Sequence, residues 1–405
     1  WFSTATLARW YGAADNSRVG NTTSLSSGIQ TVSDIRLRNA DFLPEPAENN
    51  ENAKRIIKNY LVNKGAVDVS YYVPNKNLQK NADGKFGYYY GGNALANHEV
   101  AIVGWDDDFS RYNFNAYMRP DNDGAWLIKN SWGTDDGEAG YYWISYEDDS
   151  LEIEAALSGK PADSNEKIYD YDAAGWLNSL SVDGSTTGYA ANAFASERDE
   201  TLRSVQLCAT GRNTAYTIEV YRGVADAGDP TSGELASTTS GTVKNPGYAT
   251  VDLAEPVALR AGDAFSVVVK LENTSFAYPI AVETYTPDPE SVGRQPDFMG
   301  FGAEGEPEVS LVSADGLSWE NPAGYGRDLA RAGDRSSVTN VCVKAITVPR
   351  DASGDVVPGD GGGSKAPAPL AKAGDPLSLA TASALAALGL VALAVARRRI
   401  NGKRF

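Results

Sequence analysis

The chain has 405 residues, 42% of them apolar, which is enough for two or three packed domains. A formal net charge of −17, with no basic stretch in the body of the chain, argues against nucleic acid as a partner. Two cysteines, Cys208 and Cys342, and a single histidine, His98, exclude a disulfide-dense scaffold and a Cys/His zinc site.

In chain order, Trp1–Gly12 ("WFSTATLARWYG") reads as an amphipathic helix already under way. It has neither an initiator Met nor a signal peptide, so the sequence is expected to be a fragment. The stretch "ENNENAKRIIKNYLVNKGAVDVSYYV" is clearer. Asn49–Asn52 offer caps, and Ile56, Ile57, Tyr60 and Leu61 keep helical spacing. Gly65 is a stop, and Ala66–Val73 follows as a strand. Val100–Trp105 is a short apolar run ending at three aspartates, the pattern of a buried strand closing in a turn. His98 stands at its entrance, where a lone histidine is ordinarily a satisfied core residue.

After a charged stretch near 160–167 the texture changes to short alternating segments. Tyr216–Arg222, Tyr248–Leu253, Phe265–Leu271 and Val341–Val348 are separated by Gly, Asp, Pro and Asn turns, which suits an antiparallel sandwich over 166–348. Residues 349–376 form a Gly/Pro-rich stretch expected to be a flexible tether. Leu377–Ala396 is a run of 20 residues without a charge, followed by Arg397–Arg399. That pattern predicts a transmembrane helix with a basic cytoplasmic tail over 397–405 and everything N-terminal to it outside.

The histidine gains meaning from "GAWLIKNSWGTDDGEAGYYWISY", which carries Asn130 and Trp132. A thiol peptidase needs a thiolate, an imidazole that lowers the thiol pKa and later protonates the leaving amine, and a group that fixes the imidazole tautomer. A neutral amide oxygen can serve as the third group, and an adjoining indole can shield its hydrogen bond from water.

"NHEVAIVGW" followed by "WLIKNSWG…GYYWISY" resembles the second half of a papain-like (C1) cysteine peptidase. "IIKNYLVNKGAVDVSYYV", "GYYYGGNALANHEV" and "TLARWYG" resemble the bacterial cell-surface branch of that family. The resemblance implies a papain-like α+β domain over 1–155, lacking its N-terminal part. It places the catalytic His at His98, the orienting Asn at Asn130 and the shielding Trp at Trp132. No cofactor and no metal are implied. Where the family usually reads G-x-x-W-G after the Asn–Ser–Trp, this chain has Asp136 in place of that Trp, a position expected to pack rather than react. Both cysteines lie downstream in the β-rich half, while papain-like chains place the Cys roughly 130–150 residues before the His and Asn. The nucleophile is therefore expected upstream of Trp1.

Residues 166–348 resemble the lectin-like β-sandwich that follows the peptidase in such surface proteins. Leu370–Asp375, the apolar run and the basic tail resemble a cell-wall sorting signal, with Ala371 and Ala373 departing from L-P-x-T-G. Fold alone does not show sugar binding, and Trp176 or Trp319 could stack on a sugar or pack in the core. Cys208 and Cys342 could pair or stay free. Asp106–Asp108, Asp121–Asp123 and Asp135–Glu138 do not fit an EF-hand loop and read as solvated turns. No G-x-S-x-G elbow offers a serine nucleophile. Two functions follow: a surface-anchored cysteine endopeptidase acting on protein or peptide substrates, or a non-catalytic adhesion or ligand-binding protein that works through the sandwich.

Overall fold

The computed structural model describes residues 2–15, 32–43, 51–74, 79–81, 84–285, 309–325, 328–330 and 337–351. The span expected over 377–396, the tether from 352 onward and the basic tail lie outside the described residues. Among the described residues no helix is long and apolar enough to cross a membrane.

The elements begin with α1 (Phe2–Ala8) and β1 (Ile35–Asp41). Next come α2 (Glu51–Asn63), β2 (Val67–Tyr71), β3 (Gln79–Lys80), β4 (Phe86–Tyr88) and β5 (His98–Asp106). β6 (Ala125–Lys129), β7 (Tyr141–Ser145) and β8 (Glu152–Pro161) follow. Chain contacts divide the described residues into two compact units, Ala40–Ser158 and a second made of Phe2–Asn39 with the chain from Gly159 onward.

In the first unit the strands run β8-β2-β5-β6-β7-β4-β3, all neighbours antiparallel except the parallel pair β4–β7. Helix α2 forms where Ala53 and Ile57 are buried, and Ile56, Tyr60 and Leu61 pack on the same core, the one-sided stripe of an amphipathic helix. It stops at Gly65, whose φ of +121° suits glycine, while Lys64 N and Gly65 N both donate to Tyr60 O. The core is built around Ile57, Ile102, Trp126, Ile128 and Ile144, all without solvent exposure. β5 pairs with β2 (Tyr71 opposite His98, Val69 opposite Val100) and with β6 (Ala101 opposite Lys129, Ile102 opposite Ile128), with a bulge between Ile102 and Gly104.

The second unit adds β9 (Lys167–Tyr169), β10 (Asn178–Leu180), β11 (Thr187–Ala195), β12 (Glu200–Ala209), β13 (Thr214–Arg222) and β14 (Glu234–Val243). It continues with β15 (Gly247–Leu259), β16 (Ala264–Glu272), β17 (Ile280–Tyr285), β18 (Ser310–Ser313), β19 (Ser337–Val341) and β20 (Val343–Pro349). One sheet runs β14-β13-β16-β11-β18. The other contains β10-β17-β12-β15, with β19 on β17 and β20 on both β12 and β9. In β13, Ile218 and Val220 are buried between partly exposed neighbours, the period-two pattern of a strand with one covered face. β16, flanked by β11 and β13, buries the whole run Phe265–Val269. The four segments expected as strands fall in β13, β15, β16 and the β19–β20 stretch, with one refinement. Val341–Val348 is broken at Cys342, where the chain leaves its pairing with β17 and joins β12.

Phe2–Asn39 is tied into this unit by arginines. Arg9 Nε meets Asp170 at 2.6 Å, Arg36 Nη1 meets Glu166 at 3.2 Å, and Arg38 Nη2 meets Asp252 at 2.9 Å. Deeper in, Lys344 forms an ion pair with Asp172, and its Nζ lies 3.8 Å from Asp170; Lys344 is 1% exposed and Asp172 0%. Burial disfavours the Lys344 charge, but Asp172 and Asp170 outweigh it and hold the ammonium above its ordinary range. Cys208 and Cys342 are free, buried thiols, pushed well up by burial, which decides between the two states left open by the sequence.

Candidate functional site

β5 and β6 are antiparallel neighbours, so the start of one adjoins the end of the other. His98 is the first residue of β5, and Asn130 follows the last residue of β6, which is how two distant residues come together. His98 Nε2 lies 2.8 Å from Asn130 Oδ1. An amide oxygen only accepts, so the ring nitrogen is the donor and Nδ1 is left free to take or give a proton. Asn130 is buried, and its Oδ1 also accepts from Ser131 N at 2.8 Å. The Trp132 indole stacks on the imidazole, with centroids 4.6 Å apart and planes 27° from parallel, while 53% of the residue remains exposed. The structure thus brings His98, Asn130 and Trp132 into one cluster.

Beneath the ring lies an aromatic floor. Tyr71 meets His98 edge-on at 5.7 Å and Tyr88 at 5.2 Å, and its hydroxyl is hydrogen-bonded to that of Tyr142. Burial lowers the His98 pKa, opposed by the hydrogen bond to Asn130 and by the charges of Glu99 and Asp136. Burial likewise pushes the Tyr71 and Tyr142 phenols up, which keeps them neutral.

Two roles escaped sequence reasoning. Asp136 does more than fill a packing position, because its Oδ2 accepts a hydrogen bond from Asn130 Nδ2 at 2.9 Å. Asp148 is buried and accepts from Tyr90 N at 2.9 Å, Ser150 N at 3.0 Å and Ser150 Oγ at 2.6 Å, yet burial pushes its carboxyl up to about 7. The other acidic clusters do serve turns: Asp106 Oδ1 accepts from Asp108 N at 3.0 Å, and Asp123 Oδ1 from Arg111 N at 2.7 Å. Among the described residues no group of His, Cys, Asp and Glu side chains gathers as a metal site. Trp176 is buried and donates through Nε1 to Ser179 Oγ at 3.0 Å, whereas Trp319 is partly exposed and meets Tyr189 edge-on.

Residues 38–160 match the family described as papain family cysteine protease, and residues 168–347 match the lectin like domain. Two solved structures share the two-part architecture. The clostridial cysteine protease Cwp84 after propeptide cleavage is 24% identical, with 85% of this chain and 81% of that one covered at a TM-score of 0.67. The cysteine protease and lectin-like domains of Cwp84, a surface layer associated protein of Clostridium difficile, are 24% identical, with 85% and 72% covered at a TM-score of 0.65. At that identity the likeness is one of fold. No curated protein matches the chain.

Proposed function

We propose, from a chain that is a papain-like cysteine peptidase with a lectin-like domain behind it, that His98 and Asn130 serve a surface-anchored cysteine endopeptidase. The observation that carries this reading is the 2.8 Å contact of His98 Nε2 with Asn130 Oδ1 under the Trp132 indole. With Nε2–H tied to the amide, Nδ1 takes the thiol proton, and the thiolate attacks the scissile carbonyl. The imidazolium then protonates the leaving amine, and water releases the acyl group by the same base. Cys208 and Cys342, buried and with their thiols pushed up, are poor candidates for that thiolate. The reading assigns it to a cysteine N-terminal to Trp1.

Placement at the cell surface is supported by the description of Cwp84 as surface layer associated, and by the uncharged run 377–396 with Arg397–Arg399 behind it. The lectin-like unit is compatible with a carbohydrate ligand, which its fold alone does not establish.

The test is peptide hydrolysis by the chain extended to include the upstream cysteine. Activity blocked by thiol alkylation and reduced about 10³-fold or more by His98→Ala is expected, with a smaller loss for Asn130→Ala. Hydrolysis undiminished by His98→Ala overturns the reading. A serine or glycine at the nucleophile position would leave adhesion through the sandwich as the remaining function.

A further inference from the structure

We propose that Asp136 is a positioning residue for the imidazole: its carboxylate anchors the Asn130 amide, and the anchored amide dictates which ring nitrogen of His98 carries the proton. The proposal rests on the peptidase reading for its catalytic meaning, while its geometry stands on hydrogen bonds alone.

An asparagine amide is nearly symmetric in shape but opposite in chemistry at its two ends, one accepting and the other donating. Asn130 is held by three contacts: Nδ2 to Asp136 Oδ2 at 2.9 Å, Ser131 N to Oδ1 at 2.8 Å, and His98 Nε2 to Oδ1 at 2.8 Å. A flipped amide would set a carbonyl oxygen against the Asp136 carboxylate and an NH₂ against the Ser131 N–H. Both contacts would be repulsive. With the amide so fixed, the neutral imidazole has to carry its proton on Nε2, and Nδ1 is kept as the acceptor.

The segment that delivers Asp136 is built to hold it. Gly133, Gly137, Ala139 and Gly140 have φ of +95°, +59°, +53° and +89°, a concentration of left-handed backbone that folds the chain back on itself. Asn130 N donates to Gly140 O at 2.9 Å, and Gly140 N donates to Asp136 O at 2.7 Å, which ties both ends of the turn to the site. A Cβ on Gly137 would sit 2.5 Å from Tyr141 O, so no other residue fits there without a shift. Asp136 therefore stands beside Asn130 on a braced turn.

The ionisable groups around His98 are few. Glu99 adjoins it on β5, Asp136 faces it from the turn, and Tyr71 and Tyr142 lie below as neutral phenols. Glu99 and Asp136 are the two that favour the imidazolium, and Asp136 also holds the amide.

The single histidine allows a direct test on the chain as it stands, with no nucleophile required. Labelling with ¹⁵N-histidine yields one imidazole whose tautomer and titration are read by NMR. The parent should show the Nε2–H tautomer. Asp136→Asn can keep the amide contact but drops the charge, so it should retain the tautomer and titrate at lower pH. Asp136→Ala should give a mixture of tautomers and also titrate lower. In the extended enzyme, Asp136→Ala should lower kcat/KM about five- to tenfold and move the basic limb of the pH profile down. An unchanged tautomer and titration in both variants overturns the role of Asp136 and leaves the peptidase reading intact. An Nδ1–H tautomer in the parent instead defeats the pairing of His98 with Asn130 itself. Should Asp136→Ala fail to fold, Asp136→Leu, which fills the space but accepts no hydrogen bond, is read for the same mixture of tautomers, and a pure Nε2–H tautomer there overturns the proposal.

Discussion

The two units each gather polar side chains, but they treat them in opposite ways. In Ala40–Ser158 the group His98, Asn130 and Asp136 sits at strand ends under a half-exposed indole, with one ring nitrogen left free. In the second unit Asp172 and Lys344 are buried on the face of β20 opposite to that of Val343 and Ala345, which join the sandwich core, and Glu283 accepts from Ala174 N, Thr339 Oγ1 and Asn340 Nδ2 at 2.7–2.8 Å with no exposure. A buried ion pair shut off from solvent is out of reach of a substrate. The strand-end cluster pays for its openness with weaker burial and gains a proton acceptor. Position relative to the sheet, more than residue type, separates the set proposed as reactive from the structural one.

If that contrast holds, truncating the sealed pair should have the largest effect on stability. Lys344→Met removes the charge that opposes the burial of Asp172, whose carboxyl burial already pushes up to about 6, so the native state has to hold a lone charge or take up a proton. Chemical denaturation should show a loss of about 3–5 kcal/mol. The double variant Lys344→Met/Asp172→Leu should recover much of that loss, because the cost lies in the orphaned charge. A single variant as stable as the parent would break the comparison.

Asp148 sharpens it from the other unit, because among the described residues no cation pairs with this buried carboxyl. Its folded pKa, raised to about 7 from an ordinary value of 3.8, means that the native state binds the proton more tightly than the unfolded chain. The stabilisation is therefore complete below about pH 4 and is lost as pH rises through about 7, a change on the order of 4 kcal/mol. Thermal unfolding followed from pH 4 to 8 should show that decline, and Asp148→Asn should flatten it. A parent whose stability rises over this window would show that the three hydrogen bonds to Asp148 outweigh its burial.

Much of this was legible in the sequence, and what was not has a common cause. Helix α2 and its Gly65 stop, the strand through Val100–Trp105 and the alternation in β13 are local patterns that chain chemistry dictates directly. His98, Asn130 and Trp132 could be singled out because their residue types and order are unusual. The hold of Asp136 on Asn130 could not, since an aspartate in that place reads as a packing position or a solvated turn until left-handed backbone swings it onto Asn130. The parallel pairing of β4 with β7, the break at Cys342 and the contact of Arg9 with Asp170, 161 residues apart, are equally non-local. Nothing in the residues near either partner announces them.

The smallest expected effect on stability, and the sharpest contrast with Lys344, is at Trp132. This indole is 53% exposed and packs through one face on the imidazole, so Trp132→Ala removes little buried area and creates no orphaned polar group. The unfolding free energy should change by less than about 1 kcal/mol. The imidazole should respond much more. Burial is the leading cause of the depressed His98 pKa, and removing its cover lets water reach the ring and the Asn130 contact. The His98 resonance should then titrate closer to the ordinary value of 6.5, and peptidase activity in the extended chain should fall as its hydrogen bond weakens. A melting transition shifted as far as that of Lys344→Met would mean that Trp132 is a structural residue, and the division between an open cluster and a sealed one would fail at the point where it is easiest to check.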